Sequence, residues 1–400
     1  MKPEKRRVRG NRRSSSKRGT PGTSRQEAER AVARLVLDVR RQAKGLAAAD
    51  PLAAELIASG MLSLLHTDWP DDREALEALG AELLAGLERS ADADTMVLFL
   101  AIQAIADGPM REWAGAAVAR LRARTIPEPI WSRTLGRPAF IDGWISTDEL
   151  EDQSNLALTF AHDRRPGETI VALLDANFGG LVRQAFVAAN PDKVRREWAQ
   201  LSGLPARPIE AQEAADRLAN GIQQFDGYLD PPVDEEAKRL MPLLRARLRL
   251  LPPARPIEPR YLTQKARARL VTEFVASPEA ATLGKIGRSR AANLASWFID
   301  YACDYGAGDP VRWSPIAVEI LLADWLPRKA SLLPEEVARL PHVLRAFIRF
   351  AARAKGLQEA VFAEIPTLST ALPATSRPPW RMRTAAARQS RSRGRCSGTG

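Results

Sequence analysis

Residues 155–188, NLALTFAHDRRPGETIVALLDANFGGLVRQAFVA, decide the fold class, because they hold the only closely spaced runs in the chain that read as strands. Leu156, Leu158 and Phe160 alternate with Ala157, Thr159 and Ala161, which is the period of a strand with two unlike faces. Ile170 to Leu174 are apolar without alternation, as expected of a strand covered on both sides. DRRPG (Asp163 to Gly167) is rich in turn residues and closes a five-residue hairpin. ANFGG (Ala176 to Gly180) supplies paired glycines for positive φ in the next turn. The stretch therefore predicts a three-strand antiparallel meander, to which Phe140, Ile141, Trp144 and Ile145 add a fourth, edge strand bent at Gly143. So small a sheet cannot bury its own faces and must lie against helices.

Outward from the meander the pattern is helical. Val32, Leu35, Val36 and Val39 share one face, Leu76, Leu79, Leu83 and Leu87 form a stripe, and Met96 to Leu100 open an apolar helix ending near Gly108-Pro109. With a helix after Asp50-Pro51 and another through Trp113, Val118 and Leu121, five helices are expected before the sheet. Asn190-Pro191 starts the next helix, and Ala215, Leu218, Ile222 and Phe225, then Leu240, Met241, Leu244 and Leu248, mark two more. Ser277-Pro278 and Ser314-Pro315 repeat a serine cap before proline, and helices are expected near 262–276, 291–305, 315–326 and 341–355. The fold class expected is mainly α: an irregular multi-helix array with a small antiparallel β-meander near the middle and disordered basic termini. Its divisions are a basic arm (1–25), an N-terminal helical region (26–125), a connector with the meander (126–190), a middle helical region (191–250), a C-terminal helical bundle (260–365) and a basic tail (373–400). The proline-rich LPPARPIEP (251–259) is the main joint.

The net charge of +11 is segregated. Residues 1–25 carry +9 and residues 376–400 carry +7, which leaves −5 for the 350 residues between them. The basicity thus belongs to two arms poor in apolar side chains, not to a folded binding face. Two distant cysteines, Cys303 and Cys396, imply neither a disulfide framework nor a metal site and suit a reducing cytoplasm. Arg6-Arg7 and Arg12-Arg13 precede no uncharged apolar segment, so no export signal is expected. The longest apolar stretch, Met96 to Ala106, is too short to span a bilayer, so no membrane role is expected.

DPVRWSPIAVEILLADWLPRKASL (Asp309 to Leu332), together with ETIVALLDANFGGLVRQAFV (Glu168 to Val187), resembles a family of uncharacterised bacterial proteins. The resemblance spans residues 30–365 and implies a helical N-terminal region, a short β-meander and a helical C-terminal part with a DPxRWSP…DWLPRK signature. It implies no activity and no catalytic residue. The motif has a structural reading of its own: Ser314 caps, Pro315 starts the helix, and Trp313 and Trp325 pack.

Two ends of the meander invite chemistry. His162 and Asp163 lie at one end with Glu168, but Asp175 falls at the other, roughly 20 Å away at about 3.3 Å per residue. His162 is therefore expected as a rim histidine and not as half of a catalytic pair. At the far end Glu151, Asp152, Asp175 and Asn177 offer hard oxygen ligands for a cation, without the spacing of any known loop, and solvated turn acids are the simpler expectation. Three histidines give no zinc pattern. ATLGKIGRSRAANL (281–294) lacks phosphate-loop spacing and is expected to be a turn between helices. Arg345, Arg349 and Arg353 form a solvated helical stripe, and the tryptophans read as core. No catalytic, cofactor-binding or metal residue is assigned. The expected function is a cytoplasmic, non-enzymatic protein-interaction or adaptor role with a protein partner. The alternatives are non-specific binding of nucleic-acid phosphates by residues 1–25 and 376–400, and an undetected enzyme or metal site at the meander.

Overall fold

The computed structural model describes residues 21–65, 70–89, 91–163, 165, 167–188, 190–200, 206–256, 262–329 and 333–357. Five helices come first: α1 (Pro21–Ala43), α2 (Pro51–Ser63), α3 (Pro70–Arg89), α4 (Ala93–Ile105) and α5 (Gly108–Ala123). The sheet follows as β1 (Ala139–Thr147), β2 (Gln153–Ala161), β3 (Glu168–Asp175) and β4 (Leu181–Ala188). Then come α6 (Pro191–Gln200), β5 (Ala206–Ile209), α7 (Ala211–Asp226) and α8 (Glu235–Leu248). The C-terminal part holds α9 (Gln264–Val275), α10 (Pro278–Ala281), α11 (Gly284–Asp304), α12 (Pro315–Ile320), a π-helical turn (Leu321–Trp325), α13 (Leu326–Lys329) and α14 (Pro334–Lys355). The protein is mostly helical with one small antiparallel sheet in mid-chain, as the periodicity predicts. The tail at 373–400 and residues 1–20 of the basic arm lie outside the described residues. Residues 21–25, expected in that arm, are the first turn of α1.

The strand order is β4-β3-β2-β1-β5. Gln153 pairs with Asp175 and Phe160 with Glu168, so the hairpin has the predicted register. Gly179 and Gly180 take φ of 70° and 87°, as their turn requires. Two expectations need correction. β1 is not an edge, because β5 pairs along its other side through Gly143–Ile209 to Ser146–Ala206. The sequence hides β5 because it is four residues long and contains Pro208, a residue tolerated only where a strand has no further neighbour. The irregularity in β1 falls between Phe140 and Asp142 and not at Gly143.

One face of the sheet, through Leu156, Leu158, Phe160, Ile170, Ala172 and Leu174, joins a core shared with α1–α5, α7 and α8. On the other face, among the described residues, Ala157 and Val171 meet Val194, Trp144, Ala188 and Trp198, which places α6 there. A separate core fills the C-terminal bundle, where Phe274, Phe298, Tyr301, Trp313 and Phe347 interlock edge to face. Trp313 and Trp325 both stack on Tyr301. α11 starts seven residues earlier than expected and absorbs most of the 281–294 run, and α14 continues back through Pro341 to Pro334.

A second internal proline, Pro242 in α8, is accommodated by a neighbour. The fully buried hydroxyl of Ser59 in α2 donates to the Arg239 carbonyl (2.7 Å) and accepts from the Leu243 amide (3.1 Å). It thereby bridges a pair that a regular helix closes directly. Ser59→Ala removes this bridge and is expected to destabilise the protein by about 1–3 kcal/mol in chemical denaturation. A cost near zero would show that α8 closes its own ladder across Pro242.

Candidate functional site

Each end of the β2–β3 hairpin is closed by an arginine from a distant helix or loop. At the first end β2 delivers His162 and β3 opens with Glu168, while α2 and α8 bring in Glu55 and Arg247 from the helical layer. Arg247 and Glu55 are both 0% exposed, and His162 and Glu168 are buried beside them. Arg247 Nη2 donates to Glu55 Oε2 at 2.5 Å and to Glu168 Oε1 at 3.0 Å. The guanidinium lies over the ring of Phe160, 5.5 Å from its centroid, with Nε and Nη1 unpartnered. His162 Nε2 is 3.1 Å from Glu55 Oε1, and its Nδ1 is 3.7 Å from Glu168 Oε1. The amide of Gly136 donates to the same Glu55 Oε1 at 2.7 Å.

The expectation of a rim histidine is thus overturned: the hairpin end faces the helical layer, and α2 and α8 seal it. The charges explain the arrangement. Two carboxylates and one guanidinium leave an excess negative charge, which a protonated His162 cancels. Burial alone pushes the His162 pKa down, but nearby Glu168, the bond to Glu55 and the charge of Glu55 outweigh burial and raise it. Burial likewise acts to raise Glu55, but Arg247, His162 and the Gly136 amide hold it below the ordinary range.

The far end gathers two of the four oxygen-bearing residues that suggested a cation. Asp148 folds the connecting loop by accepting from the amides of Leu150, Asp152 and Gln153. Asp152 and Asn177 come together, with Asn177 Nδ2 donating to Asp152 Oδ1 at 2.9 Å. Between them sits Arg312, from the DPVRWSP run: Nη2 donates to Asp152 Oδ1 (2.5 Å) and Asn177 Oδ1 (3.2 Å), and Nε to the Glu151 carbonyl (3.0 Å). Asp175 points elsewhere and accepts from Arg183 and the Asn177 amide. The side chain of Glu151 pairs with Lys355 (2.9 Å). Burial raises the Asp152 pKa against nearby Ser314, the bond from Asn177 and the charge of Arg312. Among the described residues no group of three or more His, Cys, Asp or Glu is placed to hold a metal ion.

The sequence reading located both ends but missed Glu55, Arg247 and Arg312. An arginine or glutamate inside an otherwise apolar helix face was the available signal for the first two: Glu55 stands among Ala54, Ala58 and Met61, and Arg247 among Leu243, Leu244 and Ala246. The remaining candidates stand apart from both ends. Arg353 pairs with Glu279 and Arg290 with Glu335. Burial pushes the Cys303 thiol up to about 11.

Comparison of the chain with family models, with curated proteins and with solved structures gives no match in any of the three. No helix among the described residues is long and apolar enough to cross a membrane.

Two predictions follow from the charge balance. The folded His162 pKa lies above its ordinary 6.5, so its contribution to stability is complete below 6.5 and is lost as pH rises through the folded value. The folded Glu55 pKa lies below 4.5, so its contribution is complete above 4.5 and is lost as pH falls through the folded value. Urea unfolding across pH should therefore show a decline on the alkaline side that His162→Gln flattens; an unaltered decline in the variant would contradict the balance. Arg247→Met leaves Glu55 and Glu168 facing each other without a cation and should cost about 3–5 kcal/mol. A loss below ~1 kcal/mol would show that the carboxylates do not depend on the guanidinium.

Proposed function

We propose that the chain is a non-enzymatic protein-interaction or adaptor protein of the cytoplasm, with the outer face of its sheet as the docking surface. The observation that carries this reading is Phe186. Cross-strand pairing sets Phe186, Val171, Ala157 and Trp144 in one apolar row across four strands. α6 covers Val171 and Ala157 through Val194, whereas Phe186 at the β4 end is 52% exposed. An apolar sheet face is ordinarily buried under a full layer, and here the cover among the described residues is a helix of ten residues. A partner helix or loop laid beside α6 would complete the layer over Phe186. The free thiol of Cys303 is consistent with a reducing compartment.

A second reading rests on the segregated charge: arms of +9 and +7 around a body of −5 are suited to phosphates of nucleic acid. An enzyme or cation site at the meander would have to displace Arg312 from Asp152 and Asn177.

Phe186→Glu places a charge on the exposed end of the row without touching either core. It should weaken a partner that co-purifies with the wild-type protein by at least about tenfold while leaving the unfolding midpoint in place. Undiminished binding by this variant would remove the sheet face from the account. For the second reading, a salt titration against mixed DNA and RNA compares the whole chain with residues 26–375. Steep salt-dependent binding by the whole chain alone would favour the arms, and no binding by either would leave their charge without a nucleic-acid role.

A further inference from the structure

We propose that the C-terminal bundle, α9 to α14, is a hinged unit that swings against the sheet-bearing unit, with Arg312 as the bolt that holds it closed. This goes beyond the interaction reading and does not rest on Phe186.

The first support is the separation of the two cores. Every buried or half-buried apolar side chain of the first core lies at or before Leu251, and every one of the bundle core lies at or after Leu270. Among the described residues none is shared, and no helix or strand of one unit packs extensively along one of the other. Each unit also holds its own part of the connecting chain. Asp216 of α7 binds the backbone and guanidinium of Arg255, and Arg267 of α9 binds the Leu262 carbonyl and both Asp300 and Asp304 of α11.

The second support is the chemistry of the junction. Arg312 is 6% exposed and reaches Asp152, Asn177 and the Glu151 carbonyl, and Lys355 adds pairs to Glu151 and to Asp309 of its own unit. These contacts are polar and directional, so they break together once the guanidinium withdraws, and water re-solvates both sides. Apolar packing would instead resist separation in proportion to its area. Glu151 presents its carbonyl from a left-handed conformation, φ 56°, which a non-glycine residue adopts only at a cost. The bolt itself sits on a rigid base: Asp309 accepts from the Val311 amide, Pro310 O from Trp313 Nε1, and the Trp313 ring is wedged between Phe298, Tyr301 and Phe347. The DPVRWSP run therefore presents Arg312 in fixed geometry, and the joint opens as a unit.

Hydrogen exchange on the full-length protein, with small-angle scattering alongside, tests this. In Arg312→Ala, peptides covering 148–153, 176–180 and 309–314 should exchange at least about tenfold faster, because opening is no longer opposed by the bolt. The radius of gyration should rise, and peptides from α4 and α11, deep in the two cores, should keep their wild-type rates. Unchanged exchange at the junction would overturn the bolt. Acceleration of α4 or α11 together with the junction would overturn the hinge, since the two units would then be one cooperative body. Should Arg312→Ala fail to fold, Asp152→Ala and Lys355→Ala each remove one tie and are read by the same criteria.

Discussion

The structure depends on a guanidinium buried at 0% exposure between two carboxylates contributed by different layers. Arg247 is carried by α8, Glu55 by α2 and Glu168 by β3, so a single side chain ties two helices to the sheet. The cost of burying these charges is met only if each is partnered, and it is this that brings His162 into the group as the second positive charge. One turn away on the same pair of helices, Ser59 reaches across to mend α8 at Pro242. The α2–α8 contact thus carries two buried polar tasks on adjacent turns. Both need the helices in one register, which an apolar seam alone would leave free to slide.

The hairpin β2–β3 is the common element of the two polar centres. At one end it is sealed inside the main core by Arg247. At the other it meets a second folding unit through Arg312, where burial holds the Asp152 pKa up despite its bonds from Asn177 and Arg312. The two arginines do different jobs because their surroundings differ. Arg247 is enclosed by side chains of one core and stacked on Phe160, whereas Arg312 crosses between two cores that share no apolar contact among the described residues.

Much of the fold was legible in the sequence because it rests on local rules. Period-2 and period-3.6 patterns placed β2, β3, β4 and the five leading helices, and Ser277, Ser314 and Asp50 cap their helices as their residue types dictate. What escaped depends on distant partners. β5 shows no strand period and exists because β1 offers an open edge. The site was half visible for the same reason: residues on the hairpin announced themselves by their place at strand ends. Glu55 and Arg247, separated by 192 positions, are joined only by the tertiary fold. His162, taken for a rim residue, was misplaced because sequence cannot show what covers a strand end.

The most direct measurement of the central claim is a pH titration of the imidazole nitrogens by NMR in the intact protein, where only His66, His162 and His342 contribute signals. The account predicts that His162 loses its second ring proton only above the ordinary value near 6.5, with Glu55→Gln bringing the transition down. A His162 transition at or below 6.5, insensitive to Glu55, would show that the buried group carries an uncompensated charge and that its balance lies elsewhere.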